Sequence, residues 1–180
     1  MAFEAYLSRL VDAGIEIVTR RDDPAIEAYE IAHTGTPQLW TNLYRFEMHW
    51  PMLQYRERFA DKMPPRLLKG IEDGMDITQD TYRAALIERE NLRRLHGKLA
   101  RRVDGFITLS SPGPGPIGMD QGSAIFNEAS SVLGAPAINL PLLAVDRAPL
   151  GVQLMGRWHE DERLTATARW LAETHFGNPA

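Results

Sequence analysis

Three short apolar runs constrain this chain more than any other feature. Phe106–Leu109, Ala137–Leu140 and Val152–Met155 are set apart by Gly/Pro punctuation, with one helical segment between the first two. Runs of about four residues are too short for helices and fit buried strands. Strand, crossover helix, strand is the grammar of a sheet with helices packed on it. The expected fold is therefore α/β, a mixed β-sheet core flanked by helices, with residues 104–156 as the sheet-forming part. Ligands of such sheets collect at the carboxyl ends of strands, so a site is expected there.

The flanks read as helices. Phe3, Leu7, Leu10 and Val11 recur at helical spacing and end at Gly14, after which Ile15–Val18 reads as a short strand. Asp22-Asp23-Pro24 caps a helix that breaks near Gly35-Thr36-Pro37. Residues 39–59 carry Trp40, Tyr44, Phe46, Trp50, Tyr55 and Phe59, with Pro51 expected to split them between two helices. Aromatics at this spacing read first as core and second as an apolar wall for a ligand or partner. A short helix follows Pro64-Pro65 and is expected to stop near Gly74; Thr78 then caps a long helix with Tyr82, Leu86, Leu92, Leu95 and Leu99 inward. Asp161–Thr174 reads as a closing helix, and the tail from Gly177 as frayed. The chain thus divides into a helix-rich part (1–103), the sheet-forming core (104–156) and a closing helix (157–176).

Composition excludes several function classes. A net charge of −4 gives no reason to expect nucleic acid or an anionic membrane as partner. Arg93, Arg94, Lys98, Arg101 and Arg102 crowd one helix end, where cations complement the dipole, and Glu88 and Glu90 dilute them. There is no cysteine, hence no disulfide, thiolate metal site or cysteine nucleophile, which suits a cytoplasmic protein. No apolar run approaches the ~18 residues of a membrane span, and the N-terminus does not read as a signal peptide.

The nucleotide motifs fail on chemistry. Gly113-Pro-Gly-Pro-Ile-Gly118 formally matches a dinucleotide loop, but Pro114 and Pro116 remove amide donors that would face a pyrophosphate. The helix is expected only from about Ser123 or Ala124, and no acidic residue stands at the ribose-binding distance. Neither a nucleophile elbow nor a Walker A loop is present, and the five histidines show no metal-ligand spacing. No cofactor is expected. Ser110-Ser111, at the end of the first strand run, and Ser130-Ser131, before Leu133-Gly134, remain. Turn satisfaction for the first pair and helix packing for the second are favoured over ligand contact.

The motifs, taken in order, resemble the C-terminal half of the amidase signature family. Asp80-Thr-Tyr-Arg-Ala-Ala-Leu-Ile-Glu-Arg89, Asp104-Gly-Phe-Ile-Thr-Leu-Ser-Ser-Pro112, Phe126-Asn127 with Leu133-Gly-Ala-Pro-Ala-Ile-Asn-Leu-Pro141, and Pro149-Leu-Gly-Val-Gln-Leu-Met-Gly156 follow that family's sequence of segments. Phe3–Val18 and Asp161–Leu164 extend the resemblance over nearly the whole chain. Two departures stand out: Thr108-Leu109-Ser110 replaces a T-P-T segment, and a tryptophan near Ser130 is missing.

The resemblance implies a single partial domain over 1–180, the C-terminal portion of a carboxamide C–N hydrolase. The family's Ser–cis-Ser–Lys triad lies in its other half, in a Gly/Ser-rich loop of G-G-S-S-G-G type. No such loop occurs here, and none of the lysines Lys62, Lys69 and Lys98 sits in the family's lysine motif. No catalytic residue is therefore assigned. Trp50, Ser110, Ser111, Phe126 and Asn127 are the expected pocket-wall residues. The expected partners are a small amide substrate and a complementing N-terminal half or a second copy. The alternative is a non-catalytic truncated or split product acting as a binding or complementing module.

Overall fold

A computed structural model describes residues 2–118 and 122–174 of the chain. Helix α1 (Ala2–Asp12) is followed by α2 (Pro24–Ala32), α3 (Thr36–Phe59), α4 (Pro65–Met75) and α5 (Gln79–Leu99). Then come β1 (Phe106–Leu109), α6 (Ile125–Leu133), β2 (Ala137–Val145), β3 (Ala148–Met155) and α7 (Asp161–Thr174). The expected helical caps form. Asp23 accepts from the Ala25 amide and Thr78 from the Thr81 amide, each satisfying a donor of a first turn. Helix α6 ends at Gly134, whose φ of 66° is the left-handed conformation that closes a helix.

The strand order is β1-β3-β2, and β3 runs antiparallel to both neighbours. Thus β1 and β2 run parallel to each other across the α6 crossover, as expected, but a third strand is threaded between them. Strand β2 also continues through Pro141 to Val145 and returns by a two-residue turn at Asp146-Arg147. Both turn residues have positive φ (51° and 65°), the geometry that matches strand twist in a tight hairpin. The register shifts between Leu140 and Leu143, a bulge at the point where Pro141 has no N–H to donate.

The sheet separates two cores. On one face Leu150, Val152 and Leu154 pack with Tyr6 and Leu10 of α1 and Leu164, Ala168 and Leu171 of α7. On the other, Phe106 and Met155 join Leu39 and Leu43 of α3, Ala85 and Leu92 of α5, and Val132 and Leu133 of α6. Polar bonds fasten this second layer. Arg93 Nε donates to the Leu133 carbonyl at 2.8 Å, and His96 Nε2 donates to the Gly156 carbonyl at 3.0 Å.

Three expectations need correction. Ile15–Val18 is irregular rather than a strand, because no neighbouring strand among the described residues pairs with it; Ile15 and Ile17 instead pack against the first core. Pro51 does not divide the aromatic segment: α3 runs unbroken over 24 residues with the proline inside it. Helix α4 does end next to Gly74, at Met75, and Gly74 itself is buried where α4 crosses α3, with no room for a side chain. Lastly, the aromatic segment is not mainly core. Trp40 and Phe46 are half-buried, while Tyr44, Trp50, Tyr55 and Phe59 are exposed. The frayed tail from Gly177 lies outside the described residues.

Candidate functional site

Strand alternation builds a polar strip into the second sheet face. Beyond Phe106 and Met155 the next cross-strand set is Thr108, Gln153 and Asn139, paired in register. Then come Ser110 and Gly151, joined by a bond from the Ser110 amide to the Gly151 carbonyl at 3.0 Å. The opposite face of the same strands carries Ile107, Leu109, Val152, Leu154, Ile138 and Leu140 and is wholly apolar. Side chains of one strand point to alternate faces, so the polar strip needs no break in the sheet.

Helix α6 lies over one part of this strip. The Gln153 side chain, 4% exposed, donates from Nε2 to the Phe126 carbonyl at 2.9 Å and lies 3.5 Å from Thr108 Oγ1. Asn127 Nδ2 donates to the Ser110 carbonyl at 3.3 Å. The Phe126–Asn127 turn is thereby pinned to the strand end that carries Ser110. The rest of the strip is open, since Asn139 and Pro141 are exposed.

The expected site residues separate into two groups. Ser110, Ser111, Phe126 and Asn127 come together at the end of β1 and the start of α6. Ser111 serves the turn: its hydroxyl bonds the Gly113 carbonyl and lies 3.3 Å from the Gly113 amide. The Ser110 hydroxyl makes no such bond among the described residues. Trp50 stands apart on α3, 67% exposed, with His49 as its ring neighbour at 5.5 Å. Ser130 and Ser131 both donate to the Asn127 carbonyl at 3.0 Å, so their hydroxyls serve the helix itself. Residues 119–121 of the loop before α6 lie outside the described residues.

Asn139, Gly151 and Gln153 belong to the same strip, although nothing in their spacing singles them out. The available signal is a polar residue at every second place in otherwise apolar runs. It becomes spatial only once β3 is known to lie between β1 and β2. Electrostatically the strip is neutral, its side chains being hydroxyls and carboxamides. The nearest titratable neighbour in sequence is Glu128, whose Oε2 is buried with no hydrogen-bond partner among the described residues; burial raises its carboxyl above the ordinary carboxylate range. Among the described residues no cluster of His, Asp or Glu could hold a metal ion, and no helix is long and apolar enough to cross a membrane.

No family model matches the chain. A glutamyl-tRNA(Gln) amidotransferase component of Coxiella burnetii is 28% identical over 134 residues, covering 67% of this chain and 27% of that protein. A crystal structure of an amidase superposes on 79% of this chain and 36% of its own, with a TM-score of 0.71 and 28% identity. Two further structures share the fold at lower identity. A bacterial aryl acylamidase of the amidase signature family gives a TM-score of 0.56 at 16% identity over 76% of this chain and 32% of its own. The inhibitor-bound vestigial complex of an s-triazine catabolic enzyme gives 0.74 at 19% identity over 98% of this chain and 40% of its own. The chain therefore spans well under half the length of the proteins it matches. In sequence and in fold it corresponds to the C-terminal portion of an amidase signature enzyme.

Proposed function

We propose that this chain works as part of a carboxamide C–N hydrolase, shaping the substrate pocket and leaving the bond cleavage to residues outside it. The observation that carries the reading is the likeness to an amidase in both sequence and fold, at 28% identity and a TM-score of 0.71. The pocket wall consists of Ser110, Ser111, Phe126 and Asn127 at the end of β1, with Trp50 on α3 as an outlying apolar contact. In the assembled enzyme a serine Oγ attacks the amide carbonyl carbon and a lysine-linked serine hands the proton to the departing nitrogen. The C–N bond then breaks, and water releases the acyl group as a carboxylic acid. That serine and lysine come from a complementing N-terminal half in the same, cytoplasmic, compartment.

The test is co-expression with a segment carrying a lysine motif and a G-G-S-S-G-G loop. Ammonia or amine release from simple carboxamides is measured for the pair and for the chain alone. Release by the pair and none by the chain alone is the expected result. Turnover by the chain alone, or an inert pair that nevertheless assembles, overturns the reading.

The exposed Tyr44, Trp50, Tyr55 and Phe59 favour a second reading, a non-catalytic module that pairs with another chain or a second copy. Under it, sedimentation at micromolar concentration yields a dimer or complex that Trp50→Lys weakens, without any turnover. A monomer that Trp50→Lys leaves unchanged would remove this alternative.

A further inference from the structure

We propose that the cleft between the C-terminal end of α5 and the loop entering α7 binds a phosphate dianion, free or as the monoester of a small molecule, between Arg93 and Arg101. This cleft lies at the opposite end of the sheet from Ser110: Arg157 and Trp158 follow Met155, the register partner of Phe106 at the start of β1. It goes beyond the amidase reading and does not depend on it. The cleft holds about 270 Å³ and is walled by Arg93, Gly97 and Arg101 on one side and by Arg157, Trp158 and Glu160 on the other.

Two of the three guanidiniums are held in place by carbonyls at helix ends. Arg93 Nε donates to the Leu133 carbonyl at 2.8 Å, and its guanidinium carbon lies over the Trp158 ring, 4.9 Å from the centroid. Arg157 Nε donates to the Ala100 carbonyl, and its Nη1 donates to Glu160 Oε1 at 3.2 Å. Helix capping therefore accounts for the Nε–H groups alone. The Nη groups of Arg93 and the whole Arg101 guanidinium make no hydrogen bond or ion pair among the described residues. Arg157 and Glu160 neutralise each other, so Arg93 and Arg101 leave the cleft two positive charges without a carboxylate. Burial and the nearby Arg89 both work against the charge on Arg93, with Glu90 in its favour. Gly97 makes the space between the two cations. It stands four residues from Arg93 on one face of α5, and Arg101 continues that row just past the helix end. A Cβ at Gly97 would meet nothing within 4 Å. A monocarboxylate in this gap cancels one charge. A phosphate dianion cancels both, and its oxygens point in tetrahedral directions toward donors on both walls.

The experiment is calorimetric titration of the full chain with inorganic phosphate, methyl phosphate and acetate, at fixed ionic strength and about pH 8, where phosphate is mostly dianionic. Both phosphates are expected to bind one to one, and acetate about tenfold more weakly or not at all. Arg101→Gln, an exposed side chain with no bond to lose, should weaken phosphate about tenfold, the loss of one charge-assisted contact. Gly97→Glu sets a carboxylate between the two arginines; it should abolish phosphate binding and raise the melting temperature, which also shows that the fold is intact. Lys98→Gln removes an equal charge from the same helix end but outside the cleft, and should leave binding unchanged. Tighter binding of methyl phosphate supports the site with a monoester as its ligand, and tighter binding of inorganic phosphate supports it with the free ion. Equal binding of acetate, no phosphate binding at millimolar concentration, or equal losses in Lys98→Gln and Arg101→Gln would each overturn the proposal, the last by showing diffuse attraction in place of a site.

Discussion

The Gln153 side-chain amide donates to the Phe126 carbonyl at 2.9 Å, fastening the first turn of α6 to the middle strand of the sheet. A helix carbonyl can accept twice, so this bond adds to the helical one. Gln153→Met keeps the volume and removes the donor, and should cost about 1 kcal/mol, the net worth of a neutral hydrogen bond. Gln153→Glu sets a buried carboxylate against a carbonyl and should cost about 2–3 kcal/mol at neutral pH. Part of that loss should return in acid as the carboxyl protonates. Urea unfolding of the three proteins at two pH values checks both claims.

Gly74 and Gly97 make a matched pair. Each lies inside a helix, where alanine is intrinsically better by about 1 kcal/mol. At Gly74 a Cβ would strike the Arg45 backbone carbonyl and come within 2.9 Å of His49 Cβ. Around Gly97 there is nothing within 4 Å. Gly97→Ala should therefore stabilise by about 0.5–1 kcal/mol. Gly74→Ala should lose about 1–3 kcal/mol, because forcing two backbones apart outweighs the propensity gain. Thermal melts of opposite sign are the expected outcome; equal shifts would contradict the close crossing of α3 and α4.

Pro51 sits inside an unbroken helix and leaves the Glu47 carbonyl without its helical donor. A proline in this place costs about 3 kcal/mol in an isolated helix interior. It returns only about 0.4–1 kcal/mol by restricting the unfolded chain. Pro51→Ala should then stabilise the protein by about 2 kcal/mol, read as a higher urea midpoint at unchanged slope. A lower midpoint would mean that the proline is needed for the course of α3.

Much of this fold is legible in local signals. The caps at Asp23 and Thr78, the glycine after α6 and the three apolar runs all speak through neighbours in sequence. What escapes is non-local. That β3 lies between β1 and β2 depends on which edges meet, and the Pro141 punctuation conceals that β2 continues into a hairpin. The Asp146-Arg147 turn has neither glycine nor asparagine, the residues that usually mark such geometry. The site shows the same division. Ser110, Phe126 and Asn127 stand in contiguous motifs, whereas Asn139, Gly151 and Gln153 become neighbours only through register. Trp50 groups with the site in sequence because helical spacing alone does not distinguish a wall of aromatics from a solvated face.

His96 makes the fold sensitive to acid. Its ring is fixed between two partners, Nε2 donating to the Gly156 carbonyl at 3.0 Å and Nδ1 accepting from the Tyr29 hydroxyl at 2.9 Å. That arrangement requires the neutral ring. His33 packs edge-on against Tyr29 and bonds Thr36 Oγ1 at 3.0 Å. Burial lowers the pKa of both histidines, and for His33, with His96 nearby, to about 4 from the ordinary 6.5. The folded state thus takes up protons later than the unfolded chain does. Stability from this pair is present in full above pH 6.5 and declines as pH falls toward 4. Urea midpoints measured from pH 7 to pH 4.5 should fall progressively. His33→Gln removes one of the two titrations and should flatten the decline; an unchanged slope in that variant would show that the acid sensitivity arises elsewhere.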